Sequence, residues 1–528
     1  MGRFRQMAAT LAALAVLVAV FLARTSSSPK FEPTPTVQGK NGTVLFFVNT
    51  EYGLSNVHLA TSGALLEKHP GIDVHIASFP RLVSKVGKVS SLAQQKTKSA
   101  KNIQFHDLPG REYAEALSNQ LGGVGRSSIR HLLHPPGIKG VNQIMKFIQP
   151  AMSPWDGGDH VAIYERVNEI IEAVDPAVVV LDIAMRPAID AVIQSDRLYT
   201  YLAPNVLADT FWIDQPLKSM FMKIPRYFRV GCDFPSPLPW QKIPENIYFT
   251  ARFIYGVLNR PDFNGTKDKL EAHGIENSLT VKRPDDRPWL SQNMVEASIP
   301  LDVVPPNVTS TGPIIFDAEP AIGQDPELVA WLSRAPTVLV NLGSLFTYSE
   351  HHATTMALAL EEVLAAKTDV QVLWKMSMSE DVPEDFALPA QSLVDQGRLK
   401  VTKWLTVSPA SILDTGHVVV SVHHGGANCY HEAIAAGIPQ VVLPMWLDCY
   451  NYAQLAEDIG VGVYANRASA PNWTVEGLRD SFLKVLEGGE EGHHIRDKAA
   501  RLGEIARRDP GRYVAAREIA RLAASGHA

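Results

Sequence analysis

The sequence predicts an α/β protein built from two doubly wound domains that face each other across a ligand-binding cleft. Two observations lead to this fold class. Apolar runs of buried-strand length alternate with segments of helical spacing from residue 43 onward, and the same alternation restarts after a proline-rich stretch at residues 300–326. The 528 residues are 46% hydrophobic and 20% charged, which is typical of globular chains and excludes disordered, collagen-like and coiled-coil proteins.

The first 36 residues differ in composition from the rest of the chain. Arg3 and Arg5 precede an apolar run at residues 7–23, and a Ser/Pro/Thr-rich stretch comes after it. A bilayer span needs about 17–25 apolar residues, so this run predicts a membrane anchor and a membrane-associated protein. The flanking basic residues do not fix the side of the membrane. A cleaved signal peptide and a plain apolar tail are the alternatives. Candidate glycosylation sequons lie at Asn41, Asn264, Asn307 and Asn472.

The first domain is predicted at residues 37–305. Its predicted strands are 44–48, 74–77 and 178–181. A glycine loop at Gly53 follows the first strand and leads into a helix over residues 57–68, and the third strand ends at Asp182. Two Gly/Pro-interrupted or aromatic-rich segments are predicted as insertions and long loops, where binding sites commonly lie: 110–159 and 211–255.

The second domain is predicted at residues 336–528, after a linker at residues 306–335. Its predicted strands are 337–341, 370–375, 418–422 and 440–443. Glycine turns follow two of these strands, one before Ser344 and one at Gly425. The helices from about residue 475 onward are predicted to close this domain.

Charge and cysteine content exclude several classes of protein. The formal net charge is −6 and the isoelectric point is about 6.3, which gives no reason to expect a nucleic-acid partner. The cysteines, Cys232, Cys429 and Cys449, are too few for a disulfide framework and lack the spacing of metal ligands. Stability is therefore expected to come from apolar cores.

The most informative segment is 404–462, where a predicted strand leads through His424, Gly425 and Gly426 into a helix. The free N–H groups and the dipole of a helix N-terminus favour an anion, and glycines let the backbone approach it closely. The strand before Ser344 leads into a similar glycine turn, so the two turns together suit a diphosphate. The alternative is that the glycines form only a tight turn and that His424 is only a strand-end residue.

This segment resembles the signature of the family 1 UDP-glycosyltransferases, which include glucuronosyltransferases and plant glucosyltransferases. The matching positions are Trp404, Ile412-Leu413, His424 to Asn428, Glu432-Ala433, Gly437, Pro439, Pro444 and Asp448. Upstream, Trp331-Leu332, the run that ends at Ser344, and Thr311-Gly312-Pro313 also resemble the family. The resemblance implies the GT-B fold, in which two Rossmann-like domains face each other and the C-terminal one binds the donor nucleotide.

The resemblance also assigns roles to individual residues of the donor site. The predicted roles are stacking on the uracil for Trp404, contacts to the diphosphate for Ser344, His424 and Asn428, contacts to the ribose for Glu432, and a hydrogen bond to the sugar for Asp448. Gly425 and Gly426 belong to the predicted donor site because they let the backbone approach the ligand closely. These roles agree with the properties of the glycine turns, because the diphosphate is the leaving group and its growing charge needs stabilisation. The family usually has Gln after this Asp, whereas Cys449 follows here, so the transferred sugar stays open.

A catalytic base is harder to assign. Family members usually place a His in the first glycine loop, oriented by an Asp after a later strand, so that it deprotonates the acceptor. The matching position falls near Ser55 or Asn56, neither of which is a useful base. His58 is either the base or a helix residue without a chemical role. Asp182 is predicted to orient the base, with an ordinary strand-end carboxylate or helix N-cap as the alternative.

The predicted function is an inverting, metal-independent transfer of a hexosyl group from a UDP-sugar to a small lipophilic hydroxyl acceptor. No cofactor is expected beyond the UDP-sugar co-substrate, and no Asp-x-Asp sequence that could chelate a metal occurs in the chain. Candidate walls of the acceptor pocket are Phe211, Trp212, Phe221, Tyr227 and Trp240. The alternatives are a catalytically silent UDP-sugar-binding protein and a sugar-nucleotide epimerase.

Overall fold

The computed structural model describes residues 36–122, 132–216, 218–219, 233–258, 263–275, 287–383, 385–487 and 489–525. Within these ranges, strands and helices alternate in two halves of the chain, each built on one parallel sheet. The predicted membrane anchor at residues 7–23 lies outside the described residues. Inside them, no helix combines the length and the apolar composition needed to span a bilayer.

The N-terminal half forms a seven-stranded sheet. Its strands are β1 (Lys40–Phe47), β2 (Asp73–Ser78), β3 (Gln104–Asp107), β4 (Pro176–Leu181), β5 (Tyr199–Ala203), β6 (Trp289–Ser291) and β7 (Val308–Ser310). They are all parallel, in the order β3–β2–β1–β4–β5–β6–β7. The helices are α1 (Tyr52–Lys68), α2 (Val83–Lys96), α3 (Tyr113–Gln120), α4 (Val141–Met152), α5 (Gly157–Val174), α6 (Arg186–Gln194), α7 (Leu207–Phe211), α8 (Ile243–Leu258) and α9 (Phe263–Ala272).

The C-terminal half repeats this plan with six strands. They are β8 (Thr337–Asn341), β9 (Gln371–Lys375), β10 (Leu399–Thr402), β11 (Val418–His423), β12 (Gln440–Val442) and β13 (Gly462–Tyr464), all parallel in the order β10–β9–β8–β11–β12–β13. The helices are α10 (Ala321–Gln324), α11 (Pro326–Leu332), α12 (Glu350–Ala366), α13 (Gln391–Asp395), α14 (Pro409–Leu413), α15 (Ala427–Ala436), α16 (Cys449–Ile459), α17 (Val475–Leu486), α18 (Glu490–Arg508) and α19 (Gly511–Ser525).

The continuous apolar runs of the sequence are explained by burial on both faces of each sheet. Along β1, Val44 and Phe46 pack into one apolar core, whereas Leu45 and Phe47 pack into a second core on the opposite face. Side chains of a strand alternate between the two faces, so a strand covered on both faces is apolar throughout. The strands predicted from these runs are therefore found where the sequence places them.

Helix α1 begins earlier than expected. The sequence predicts a glycine loop at Gly53 and a helix from residue 57, but the helix begins at Tyr52 and includes Gly53 in its first turn. The N–H groups of Leu54 and Ser55 both donate to the Glu51 carbonyl oxygen, at 3.0 and 2.8 Å. Gly53 thus adopts ordinary helical geometry, which fixes the direction of every side chain that follows it on α1.

The predicted linker at residues 306–335 contains elements of both halves. Strand β7 pairs with β6 and so completes the N-terminal sheet. Helix α11 buries Leu328 and Leu332 against Leu339 of β8 in a core of the C-terminal half. The first crossing between the two packed bodies therefore lies between β7 and α10, since Ala321 of α10 is already buried in that C-terminal core.

The sequence analysis expected the last helix to close the C-terminal domain. The structure shows instead that this helix packs against the N-terminal domain. Ala515, Ala516 and Ile519 of α19 are buried in the same core as Val44 of β1. Gly511 starts the helix at a close backbone crossing, because a Cβ there would lie 2.5 Å from the carbonyl oxygen of Gly312. The apolar face of α19 fits this N-terminal surface, which the linear order of the chain could not indicate.

The strand order indicates where each sheet can bind a ligand. It reverses between β1 and β4 in the first sheet and between β8 and β11 in the second. In open parallel sheets, ligands bind in the crevice outside the carboxyl ends of the strands at such a switch point. The turns after β8 and β11 are the glycine turns identified in the sequence.

Candidate active site

A cleft of about 1040 Å³ lies between the two halves of the chain. Its C-terminal wall consists of residues that follow β8, β9, β10, β11 and β12, and its N-terminal wall comes mainly from α1 and α2. Ligand pockets commonly measure about 300–1,000 Å³, so the cleft has room for a nucleotide sugar and part of a second ligand. The predicted donor residues that line it are Ser344, Trp404, His424, Gly426, Asn428, Glu432 and Asp448.

The turn between β11 and α15 has a shape that only glycines allow. Gly425 has a φ of +89°, and a Cβ there would lie 2.5 Å from the carbonyl oxygen of Cys449. Left-handed backbone and this close approach both exclude a larger residue. Gly425 thus supports the site from behind and is not among the residues that line the cleft, whereas Gly426 caps α15 and does line it.

The His424 ring is wedged between the two glycine turns. A Cβ at Gly343 would lie 2.7 Å from Cε1 of the ring, and a Cβ at Gly426 would lie 2.6 Å from Nε2. The ring also packs against Trp446, with centroids 5.4 Å apart. Its Nδ1 has no hydrogen-bond partner, and burial lowers the pKa of His424 to about 3. The ring is therefore neutral and positioned by shape.

The two glycine turns lead into different local structures. Helix α15 begins directly after Gly426, so its first N–H groups point towards the cleft and favour an anion. Ser344 comes after the other turn, and α12 begins six residues later, at Glu350, so the N–H groups of a helix N-terminus do not lie directly at this turn. Ser344 is exposed and can contribute its hydroxyl and backbone N–H.

Lys375 is a cationic residue of the cleft that the motif analysis missed. Its Nζ donates to the carbonyl oxygen of Gly343 at 2.5 Å and lies 4.1 Å from the ring centroid of Trp404. Burial lowers the pKa of Lys375 to about 8. The available signal was a charged residue at the end of a strand whose middle residues, 372–374, are apolar. The ammonium group brings a positive charge to the wall where a diphosphate is expected.

Two carboxylates also line this wall. Burial raises the pKa of Glu432 to about 7 and that of Asp448 to about 6. Carboxylates held in a partly desolvated cleft are good acceptors for ligand hydroxyl groups, because such hydrogen bonds restore the solvation that burial removed. Cys449, which stands where the family has Gln, is buried at the edge of the cleft.

The structure does not bring His58 to the cleft. The side chain is fully buried, its two ring nitrogens have no hydrogen-bond partner, and it packs edge-on against Phe46 at 6.1 Å. Burial lowers the pKa of His58 to about 3. Because α1 begins at Tyr52, the face of the helix towards the cleft carries Asn56 instead. Of the two alternatives for His58, its burial favours a helix residue without a chemical role over the catalytic base.

Asp182 is equally closed off from the cleft. Its Oδ2 accepts from the backbone N–H and the side-chain amide of Asn49, at 3.0 and 3.1 Å. Its Oδ1 accepts from the N–H of Ala184 at 2.9 Å. Burial raises the pKa of Asp182 to about 6. The carboxylate therefore ties the ends of β1 and β4 together and does not orient His58.

The aromatic residues proposed for the acceptor pocket lie elsewhere. Phe211 and Trp212 are buried in two separate cores of the N-terminal half, and Trp240 is 75% exposed. None of these three lines the cleft. Phe221 and Tyr227 lie outside the described residues. The first two fill cores, which is the commoner role of aromatic side chains in an insertion.

The N-terminal wall of the cleft is instead amphipathic. Helix α2 contributes a polar and basic face, formed by Ser84, Lys85, Lys88, Ser91 and Gln95. Apolar side chains lie between and beside it: Leu54, Leu59, Leu92 and Phe316. This wall meets the donor wall at Tyr52, whose carbonyl oxygen accepts from Nδ2 of Asn428 at 3.0 Å. The Lys85 ammonium also lies over the Tyr52 ring, 3.3 Å from its centroid, in a cation–π contact.

The side chains that commonly bind metals are dispersed in the described part of the chain. Across those ranges, no group of three or more His, Cys, Asp or Glu side chains is arranged to hold a metal ion. Cys429 and Cys449 both line the cleft as free thiols.

Known proteins share both the sequence motif and the overall plan of this chain. A family model for the C-terminal domain of erythromycin biosynthesis protein CIII-like proteins matches residues 397–518. Glycosyltransferase sdnJ of Sordaria araneosa is 32% identical over 507 residues, which cover 90% of this chain and 97% of that protein. UDP-glycosyltransferase 74C1 of Arabidopsis thaliana is 29% identical over 35% of this chain and 39% of its own length.

Solved structures share the architecture of the whole chain. The crystal structure of a UDP-glucose: anthocyanidin 3-O-glucosyltransferase in complex with UDP superposes with a TM-score of 0.55. It is 16% identical and covers 92% of this chain and 100% of its own. At this level of identity the likeness concerns the fold, and it confirms the GT-B architecture that the sequence motif implied.

Proposed function

Because this chain belongs to the family 1 UDP-glycosyltransferases, we propose that it transfers a hexosyl group from a UDP-sugar to a small lipophilic hydroxyl acceptor, by an inverting and metal-independent mechanism. Membership rests on 32% identity to a glycosyltransferase over 90% of the chain. The chain is therefore a UDP-glycosyltransferase; the stereochemistry, the independence of metal and the class of acceptor are the parts proposed here.

The position of His424 is the observation that carries the proposal. The ring lines the cleft where the turns after β8 and β11 meet, beside the first N–H groups of α15 and the Lys375 ammonium. A diphosphate placed here receives neutral and charged donors from three directions. The nucleoside then extends towards Trp404 and Glu432, and the sugar towards Asp448, as the family motif assigns them.

The chemistry asked of these residues is stabilisation of a leaving group. In a single displacement, the acceptor oxygen bonds to C1 of the sugar while the bond from C1 to the phosphate oxygen breaks, and UDP departs with that electron pair. In this proposal the donors around His424 stabilise the negative charge that grows on the leaving UDP, and such preorganised donors commonly supply the largest share of rate enhancement. Attack from the face opposite the phosphate inverts the configuration at C1.

The two helices of the acceptor side offer no evident base for the acceptor proton. Of the cleft residues on α1 and α2, the ionisable ones are Tyr52, Lys85 and Lys88, with no imidazole or carboxylate among them. A missing general base commonly costs about 10²–10⁴-fold in rate. We therefore expect the best acceptors to have acidic hydroxyl groups, such as phenols, which need less help in losing the proton.

The amphipathic N-terminal wall supports a lipophilic acceptor that also carries polar groups. Leu54, Leu59 and Leu92 offer apolar surface, and the basic face of α2 lies beside them. A membrane anchor at residues 7–23, which stays a prediction, suits an acceptor that partitions into lipid.

A catalytically silent UDP-sugar-binding protein is the second candidate. The burial of His58 away from the cleft favours it, because the donor wall is complete without a base on the acceptor side. The two candidates predict the same affinity for UDP and differ only in turnover.

Turnover by the full chain tests the proposal. The purified protein is incubated with UDP-glucose, UDP-glucuronic acid, UDP-galactose or UDP-N-acetylglucosamine and a pool of phenols and sterols, with and without EDTA. The proposal predicts UDP release, a product heavier by one sugar, inverted configuration at C1 by NMR, and no effect of EDTA. Tight UDP binding without product from any donor would establish the silent binding protein instead.

A further inference from the structure

One loop of the donor wall is held from the opposite domain. Residues 444–448 connect β12 to α16 and carry two side chains of the cleft, Trp446 and Asp448. Between them, Leu447 has a φ of +38°, which is unusual for a residue with a branched apolar side chain. A conformation of this kind persists only where its surroundings enforce it.

His134 of the N-terminal half forms several of the contacts that hold Leu447 in this conformation. Its backbone N–H donates to the carbonyl oxygen of Met445 at 3.2 Å, and its Nε2 accepts from the backbone N–H of Leu447 at 2.9 Å. The Tyr450 hydroxyl donates to the His134 carbonyl oxygen at 2.5 Å, and the two rings pack with centroids 5.4 Å apart. His134 thus forms hydrogen bonds to Met445, Leu447 and Tyr450, which lie before, at and after the position with the unusual φ.

The His134 ring can play this part in one tautomer only. Nδ1 faces the carbonyl oxygen of Pro135 at 2.9 Å and must therefore carry the proton, which leaves Nε2 free to accept from Leu447. Burial lowers the pKa of His134 to about 4, so the ring is neutral near pH 7. The side chain is 2% exposed, and water does not compete for these bonds.

The support on the N-terminal side is rigid. A Cβ at Gly140 would lie 2.0 Å from the carbonyl oxygen of Pro135, so the turn after His134 is tightly folded. That turn leads into α4, whose Ile144 and Ile148 form an apolar core with α8, and the side chain of Leu447 packs against this same core. The backbone N–H of Leu447 is therefore bound by the N-terminal domain, and its side chain packs between that core and a core of the C-terminal half.

We propose that His134 is a positioning residue for the donor sugar, because it holds the 444–448 loop in the conformation that presents Asp448 to the cleft. The inference rests on the proposed function and adds to it that recognition of the sugar depends on this contact with the N-terminal domain. Trp446 of the same loop packs against His424, but the residues assigned to the uracil, the ribose and the diphosphate lie on other segments, so loss of the contact affects binding of the UDP-sugar more than binding of UDP.

Two variants at this position separate the contact from the bulk of the side chain. His134→Gln keeps an acceptor, Oε1, within reach of the Leu447 N–H, and His134→Leu removes it. Tyr450→Phe is the matched control, since it deletes one hydrogen bond to His134 and leaves the bond to Leu447 in place. Calorimetry on the full chain then compares the affinities for UDP and for the UDP-sugar that the wild type prefers.

The proposal predicts that His134→Leu loses at least fivefold in affinity for the UDP-sugar, changes its affinity for UDP by less than twofold, and discriminates less between UDP-sugars. His134→Gln and Tyr450→Phe should stay within twofold of the wild type. Equal losses for UDP and UDP-sugar in His134→Leu, or no loss in a folded protein, would overturn the proposal.

Hydrogen exchange provides a second measurement that does not depend on the function. The Leu447 amide should exchange at least tenfold faster in His134→Leu than in the wild type, and near the wild-type rate in His134→Gln. A wild type that binds neither UDP nor any UDP-sugar would refute the proposed function by itself. Unchanged exchange at Leu447 in His134→Leu would refute the positioning role of His134 whatever the ligand.

Discussion

At the scale of single residues, the donor site depends on which side chain occupies which face of a helix or turn. The motif residues follow strand ends, so the sequence places them well: seven of the predicted donor residues line the cleft. His58 is different, because it lies within a helix. It is two residues from Asn56, which corresponds to a rotation of about 200° around α1, so a small error in the start of the helix moves the side chain from the cleft to the core.

Replacing His58 tests this placement. We expect His58→Leu to keep sugar transfer within about threefold of the wild type, since the ring makes no hydrogen bond and does not line the cleft. Stability should change little or rise, because an apolar side chain of similar size removes two unsatisfied ring nitrogens. Initial rates and thermal unfolding of both proteins provide the measurement. A loss of about 100-fold or more in a stably folded variant, as expected for a general base, would restore His58 to catalysis.

Lys375 gives the site a dependence on pH. Burial lowers the pKa of Lys375 to about 8, so the ammonium is present at pH 7 and is lost as the pH rises to 9. We expect Lys375→Met to weaken UDP binding about tenfold at pH 7, which is about 1.4 kcal/mol. The ratio of wild-type to variant affinity should shrink at pH 9.

Lys375→Arg is the matched control for that titration, because the guanidinium stays charged throughout this range. Calorimetric affinities at both pH values measure the ratios for all three proteins. Ionisation of Glu432 affects each protein alike and cancels in the ratios. An equal ratio at pH 7 and pH 9 for the wild type and Lys375→Met would show that the lysine charge does not contribute.

At the scale of elements, the turn between β11 and α15 requires a glycine at position 425 for two separate reasons, its backbone conformation and the lack of space for a Cβ. Its φ of +89° costs a larger residue about 1–2 kcal/mol, and the carbonyl oxygen of Cys449 leaves no space for a Cβ. Gly425→Ala should therefore lose about 1–3 kcal/mol beyond the cost of the backbone conformation and weaken UDP binding.

Gly416→Ala is the control that separates the cost of the backbone conformation from the cost of the steric clash. Gly416 also has a positive φ, of +76°, but nothing lies within 4 Å of an added Cβ, so only the cost of the backbone conformation remains. Chemical denaturation of both variants and calorimetry with UDP measure the difference. Equal destabilisation by the two substitutions would show that the close approach to Cys449 is unimportant.

The elements themselves were largely predictable. The continuous apolar runs of β1, β4, β8 and β11 mark strands buried on both faces, and no other element type fits their length. The residue at which α1 begins could not be predicted, because a glycine such as Gly53 is typical of a loop, although it also fits the first turn of a helix. The sequence predicts a helix around residues 350–366, and α12 is found at Glu350–Ala366.

At the scale of the whole molecule, two contacts bind the halves in ways that sequence order conceals. Helix α19 belongs to the C-terminal end of the chain and packs in the N-terminal core, and His134 of the N-terminal half holds a loop of the C-terminal one. Periodicity indicates that a helix has an apolar face but not which surface will cover it. The two-domain fold and the cleft were therefore predictable, and the attachment of α19 was not.

The return of α19 predicts that its apolar face stabilises the N-terminal domain. Ile519 is fully buried in that core, and Ile519→Ala should cost about 2–5 kcal/mol of unfolding free energy. Arg517→Ala on the exposed face of the same helix is the control, since its ion pair with Asp509 is exposed and worth about 1 kcal/mol at most. Denaturant unfolding monitored by tryptophan fluorescence compares the two. Similar small effects would mean that α19 packs elsewhere in solution.

The most direct test of the donor site is the affinity for UDP, which requires neither an acceptor nor the right sugar. Calorimetry on the full chain should show that His424→Ala and Glu432→Ala each bind UDP at least tenfold more weakly than the wild type, a loss of about 1.4 kcal/mol or more. His351→Ala, at an exposed histidine that does not line the cleft, should bind as the wild type does. Unchanged affinity in both site variants would contradict the proposed donor site.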